Sequence, residues 1–245
     1  MDIKNTMDDK WYSLETVIPA ESCGADGCAR LDAWFPLFQW IASEHCEAIR
    51  CGHETDLPNS TLWILYGAHT EWTATVRAGD RLTLASVPTM TAHGMYQRST
   101  VVTAADGKPV ASHVGYWTLM DRATRKRVRN ELIEQRHIDA QVKQWFRPIP
   151  FERLDAPDEP WAYTPGEIDI DENGHVNNAR YIHWLSVAMG SPSGISTLDV
   201  WYSSEIMPGE NITGRLARLG ERFTFEVFRA GEEKAAFTAT GTTKR

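Results

Sequence analysis

The chain has 245 residues, enough for one large domain or for two of about 120 residues, each burying its own core. Its formal charge of -8 excludes general nucleic-acid binding, which relies on clustered lysine and arginine to neutralise phosphates, and its 42% apolar residues exclude a disordered chain. There is no run of about 18 apolar residues to span a membrane, and the opening MDIKNTMDDKWYS lacks the cationic end and apolar core of a signal peptide, so a cytoplasmic protein is expected.

The first predicted element is a helix within DAWFPLFQWIASEHCEAIRCG, where Trp34, Phe35, Phe38, Ile41, Ala42 and Cys46 recur at three- and four-residue steps. Cys23, Cys28, Cys46 and Cys51 form two C-x4-C pairs. Structural zinc sites use tighter pairs, and Cys46 falls inside the helix, so the four are read as small buried thiols in a reducing compartment, with no metal site. From Leu62 an antiparallel meander of strands is predicted at TLWILYGAHTEWTATV, DRLTLASVPTMTAH, MYQRSTVVTAAD and KPVASHVGYWTLMD. Turn signals separate them at Ala78-Gly79-Asp80, His93-Gly94 and Asp106-Gly107.

A polar, helix-prone connector, RATRKRVRNELIEQRHIDAQVKQWF, and a proline-containing stretch follow, and then the same order returns. Asn178 to Met189 reads as a helix with Ala179, Ile182, Leu185 and Met189 on one side, and strands follow at STLDVWYSSEI, NITGRLARLG, RFTFEVFRAG and KAAFTATGTT. The chain therefore divides into a first unit (1–135), a linker (136–160) and a second unit (161–245). Laid over one another, DGCARLDAW matches NGHVNNARY and WTATVRAGDRL matches YSSEIMPGENI. The glycines coincide and the polar residues do not. Where the second copy has Asp171, Asn173, His175 and Glu205, the first has Gly24, Asp26, Cys28 and Thr75.

The stretch DIDENGHVNNARYIHWL opens like a calcium loop, with Asp169, Asp171, Asn173 and Gly174 at the first ligand positions and the glycine. The twelfth position, which needs a bidentate glutamate, is Arg180, and Pro160, Pro165 and Gly166 rule out the entering helix. No calcium site is expected. Read as an extended segment leading into a helix that starts near Val176 or Asn177, the same stretch points Asp171, Asn173 and His175 to one side. They then converge at a helix N-terminus, whose free N–H groups suit a carbonyl becoming an oxyanion. A carboxylate, an amide and an imidazole there fit water-driven acyl transfer. Each also has a structural reading: Asn173 serving the turn, Asp171 capping the helix, His175 a satisfied histidine.

DENGHVNNARYIHW resembles the D-x-N-x-H-V-N-N-x-x-Y-x-x-W signature of the acyl-acyl carrier protein thioesterases. LWILYGAHTEWTATVRAGDRL, DGKPVASHVGYWTLMDRATRKRV and YSSEIMPGEN extend the likeness from about Trp11 to the end. The resemblance implies an α+β fold of two tandem hot-dog domains, each a central helix wrapped by a curved antiparallel sheet, the first shaping a substrate tunnel and the second catalytic. It implies hydrolysis of the thioester joining a fatty acyl chain to carrier-protein phosphopantetheine, without a cofactor, and its catalytic set falls on Asp171, Asn173, His175 and Glu205. In plant members a cysteine follows the glutamate, whereas here Ile206 does, which puts a cysteine–histidine mechanism in doubt. The scheme left has Glu205 or Asp171 activating water, or Asp171 attacking directly. Acyl-CoA thioesterases, hydroxyacyl dehydratases and acyl-chain binding modules share the fold and stand as alternatives. The run RATRKRVR, with Arg122, Arg125, Lys126, Arg127 and Arg129 and centred on Arg125, Lys126 and Arg127, is expected either to dock an acidic carrier protein or to be a solvated turn. A homodimer is left open.

Overall fold

The computed structural model describes residues 5–8, 11–51, 61–92, 94–131, 133–134, 150–171, 173–190 and 194–244. Its strands are β1 (Asn5–Asp8), β2 (Trp11–Val17), β3 (Thr61–Trp72), β4 (Arg81–Ala92), β5 (Met95–Ala104), β6 (Pro109–Asp121), β7 (Asp158–Tyr163), β8 (Ile195–Tyr202), β9 (Ile212–Leu219), β10 (Arg222–Arg229) and β11 (Phe237–Thr243), with helices α1 (Trp34–Ala48) and α2 (Asn178–Ala188). All the strands join one antiparallel sheet in the order β1-β2-β4-β5-β6-β3-β8-β11-β10-β9-β7. Outward from the central β3–β8 pair, one side runs β3, β6, β5, β4, β2, β1 and the other β8, β11, β10, β9, β7. The same helix-and-sheet unit occurs twice, an α+β tandem hot-dog fold.

The local sequence explains the elements. In α1, Pro36 stands in the first turn, where no N–H has an intrahelical partner, so the ring breaks nothing. In α2, the Asn177 side chain accepts the Ala179 N–H as an N-cap, and Gly190 at φ +78° ends the helix in the left-handed conformation. Trp34, Phe35, Phe38 and Ile41 of α1 and Tyr181, Ile182, Trp184 and Leu185 of α2 share one apolar core with Leu84, Val102, Val200, Phe225 and Phe237 of the sheet. The expected turns are held by Gly79, Gly94 and Gly107, all at positive φ, while His93 lies outside the described residues.

Three features depart from the sequence reading. The four strands from Leu62 are not a simple meander, because β3 pairs with β6 rather than with β4. The segment after Trp72 turns away, with the Thr73 and Ala74 N–H groups both on the Val110 carbonyl, and leaves the other edge of β3 to pair with β8. Strands β1, β2 and β7 were not anticipated. Strand β7 takes in Asp158, Glu159 and Pro160 of the expected linker, and Pro160 is tolerated because β7 is an edge strand. Of the expected connector helix, Glu131, Ile133 and Glu134 are helical, and residues 135–149 lie outside the described residues.

The β3–β8 junction depends on one glycine. A β-bulge between Leu65 and Gly67 turns Tyr66 outward, and a Cβ on Gly67 would stand 2.7 Å from the Val200 carbonyl oxygen and 2.6 Å from the Trp201 ring. Gly67→Ala is expected to lower stability by about 1–3 kcal/mol, the usual range for overpacking, read from the urea midpoint. An unchanged midpoint would mean that the two strands do not approach this closely.

Candidate active site

Two loops from the second unit and one hairpin from the first meet at a cavity of about 520 Å³, within the range of small-molecule sites. Leu62 to Tyr66 of β3 supply its wall from the first unit. Asp171, Asn173, His175, Asn178, Tyr181, Tyr202 and Glu205 supply it from the second.

Asp171, Asn173 and His175 do not lie on an extended segment, as expected, but on a tight turn. Its base is the Ile170–Val176 bridge; the Asp171 N–H bonds the His175 carbonyl at 2.9 Å, the Gly174 N–H bonds the Asp171 carbonyl at 3.0 Å, and Gly174 has φ +80°. Asp171 Oδ1 accepts the Asn173 N–H at 2.8 Å and faces the His175 N–H at 3.5 Å. Asp171 thus caps the turn, while Asn177 caps the helix. Val176 N–H reaches the Ile206 carbonyl at 3.1 Å, which pins the turn to the segment after β8 that carries Glu205. His175 Nε2 stands 3.6 Å from Glu205 Oε2, just beyond hydrogen-bond length, as is common in sites without substrate.

Most of the N–H groups expected to be free at the helix start are taken. Those of Val176, Asn177, Ala179 and Arg180 donate to Ile206 O, Asp169 O, Asn177 Oδ1 and Asn177 O. The Asn178 N–H donates to no group among the described residues, and Asn178 lines the cavity. The one open donor identified at the helix start thus belongs to a residue that lines the cavity.

The calcium-like residues have another use. Asp169, fully buried, accepts Arg180 Nε at 2.6 Å, the Tyr163 hydroxyl at 2.9 Å and the Gly166 N–H at 3.0 Å. The first and twelfth positions of the presumed ion loop are thus paired with each other. The guanidinium sits on the carboxylate that an ion would need. The cysteines divide similarly: Cys23 packs against the main core, and Cys51 belongs to a second apolar cluster with Tyr96 and Leu119.

The first unit repeats the turn without its chemistry. Gly24 N–H bonds Cys28 O at 2.8 Å, Gly27 N–H bonds Gly24 O at 2.9 Å with φ +73°, a Cys23–Ala29 bridge forms the base, and Ala29 N–H reaches Val76 O at 2.8 Å. These bonds correspond one for one with those of the second unit, so Cys28 and Thr75 occupy the places of His175 and Glu205. The equivalent cavity measures only about 20 Å³, because Trp34 and Trp72, at an edge-on 6.2 Å, fill the place of Tyr181 and Tyr202. His113, elsewhere in the first unit, is a core residue: stacked on Phe38 at 4.2 Å and fully buried, its imidazole is pushed down to about 3 and stays neutral.

The cationic run folds back as a hairpin beyond β6, and its residues diverge. Arg125 ion-pairs with Glu205, Arg127 stacks over the Tyr66 ring at 5.3 Å, and Lys126 is exposed. Arg122, expected in the cationic run and not in the catalytic set, donates from Nη1 to Asn173 Oδ1 at 3.1 Å. Nothing in the spacing of the first unit marks Arg122 or Arg125 as neighbours of a loop 50 residues and more away.

Residues 155–237 match the family model described as acyl-ACP thioesterase C-terminal domain. Among solved structures, the chain is similar to an acyl-ACP thioesterase from Bacteroides thetaiotaomicron (18% identity, 96% of this chain and 98% of that one, TM-score 0.85). It is also similar to the 12:0-ACP thioesterase from Umbellularia californica (16% identity, 98% and 99%, TM-score 0.84). A MaoC-like dehydratase follows at 12% identity, 96% and 98% coverage and TM-score 0.62. At these identities the likenesses show the fold. No curated protein matches the chain by sequence.

Proposed function

We propose that this chain, whose residues 155–237 belong to the acyl-ACP thioesterase C-terminal domain family, hydrolyses the thioester between a fatty acyl chain and carrier-protein phosphopantetheine, releasing the free fatty acid. The observation that carries the reading is the duplicated turn, of which one copy holds His175 and Glu205 beside an open cavity and the other holds Cys28 and Thr75 beside a filled one. Glu205 is the base. Among the described residues its Oε1 accepts no hydrogen bond and can take a proton from water, whereas Asp171 uses Oδ1 in shaping the turn. The water oxygen adds to the thioester carbonyl as its proton passes to Glu205. His175, the Asn173 amide and the Asn178 N–H stabilise the oxyanion, and collapse breaks the C–S bond with the proton returned to the departing sulfur. The reading needs no cofactor. Its cytoplasmic setting, and any pairing of two chains, belong to the proposal; among the described residues no helix is long and apolar enough to cross a membrane.

Carrier docking falls to Lys126 and, at the cavity rim, Arg127. The test compares release of free thiol from an acyl-carrier protein, the matching acyl-CoA, a small acyl-pantetheine thioester and a hydroxyacyl thioester, before and after Lys126→Glu. The expected result is highest kcat/KM on the carrier-bound acyl chain and, for Lys126→Glu, a raised KM for that substrate alone, mainly at low salt. Preference for acyl-CoA would move the assignment to the CoA enzymes. Dehydration of the hydroxyacyl substrate without hydrolysis would move it to the dehydratases.

A further inference from the structure

We propose that Arg125, delivered from the first unit, is a positioning residue of the hydrolytic reaction, holding the Glu205 carboxylate so that one oxygen is fixed and the other faces water. The inference rests on the hydrolase reading above and adds a residue to it. Arg125 Nη2 and His175 Nε2 both approach Glu205 Oε2, and among the described residues no hydrogen bond is made to Oε1. Arg122 acts in parallel on the amide. A guanidinium only donates, so the Asn173 oxygen must face Arg122, and the NH2 of that amide is left to donate toward the oxyanion.

The backbone gives independent support. Arg125 has φ +54° and is one of two non-glycine residues in the left-handed region among the described residues. The turn around it is closed by the Thr124 N–H and hydroxyl on Asp121 Oδ1 at 2.7 and 2.8 Å, by the Arg125 N–H on Asp121 O at 3.0 Å, and by the Asp121 N–H on Lys126 O at 2.9 Å. Glycine would adopt this conformation without strain. An arginine held there is best explained by where its side chain goes, since strained residues cluster where function needs them. The pair with Glu205 is too exposed to repay the strain through stability, its side chains being 42% and 35% accessible.

This separates positioning from structure. Arg125→Gly removes both the guanidinium and the strain, so the thermal midpoint is expected to hold or rise while kcat on the small acyl-pantetheine thioester falls roughly ten- to a hundredfold, with KM little changed. Arg125→Lys, which restores a point charge, is expected to recover part of kcat. If Arg125 acts through Glu205, combining Arg125→Gly with Glu205→Gln loses no more than Glu205→Gln alone. The small thioester keeps carrier docking out of the measurement. Near-normal kcat in Arg125→Gly, a midpoint that falls in step with activity, or multiplicative losses in the double variant would overturn the proposal while leaving the hydrolase reading intact. A wild-type protein that hydrolyses no acyl thioester would overturn both.

Discussion

Replacing His175 by alanine, or Glu205 by glutamine, is expected to lower kcat on an acyl thioester by about a hundredfold or more, the usual worth of a general base or an oxyanion donor. Stability should stay within about 1 kcal/mol of wild type, because both side chains sit partly in solvent at the cavity and neither belongs to the apolar core. The molecule already contains a version of this experiment. In the first unit the same turn closes with the same hydrogen bonds around Cys28 and Thr75, so the fold of the turn does not require an imidazole or a carboxylate at these places. Turnover by either variant near the wild-type rate, measured as thiol release with unfolding checked in parallel, would remove these residues from the mechanism.

The largest loss of stability is expected at Asp169. Asp169→Ala strips the Arg180 guanidinium, the Tyr163 hydroxyl and the Gly166 N–H of a fully buried acceptor at one stroke. Removing one partner of a buried pair typically costs about 3–5 kcal/mol; Arg180 retains 26% side-chain exposure and can rehydrate in part, so about 2–4 kcal/mol is expected here. Activity should fall as well, below the unfolding transition, because the lost side-chain network holds in place the backbone of residue 169, whose carbonyl accepts the Asn177 N–H beside the turn bearing His175. Asp169→Asn, which keeps an acceptor oxygen for part of the network, should lose less. A urea midpoint shift worth under 1 kcal/mol for the alanine variant would contradict this account.

Much of this was legible in the sequence because it was written in local periodicity. The three- and four-residue spacing of Trp34, Phe35, Phe38 and Ile41 and of Ala179, Ile182 and Leu185 marks both helices, and alternation through Phe223, Phe225 and Val227 marks β10. The self-alignment that set Cys28 against His175 and Thr75 against Glu205 also holds in three dimensions, since matching glycines fix matching turns. Other features had no local signal. Strand β7 was masked by Pro160, which only an edge position permits, and β2 was too short a run, with Tyr12 and Leu14 as its buried pair. The extended segment expected at Asp171 to His175 became a turn because its ends pair across the Ile170–Val176 bridge, a contact that alternation cannot foresee. Arg122 and Arg125 reach the site only because the sheet order sets the end of β6 beside the second unit's loops. Such neighbours are a product of topology, and the spacing of residues along the chain does not contain them.

The ladder joining β3 to β8 also constrains how the molecule can move. Residues Gly67 to Glu71 pair with Thr197 to Trp201 in continuous antiparallel register, so the cavity wall and the strand leading to Glu205 are adjacent strands of one sheet. Opening the cavity by swinging one unit away from the other would break that ladder and the buried contacts behind it. Hinged domains avoid this by moving about a few loop residues. Access to the cavity is then left to local changes at its rim, where Tyr66, Arg127 and Met207 lie exposed, and such side-chain motions are faster than the micro- to millisecond closure of hinged domains.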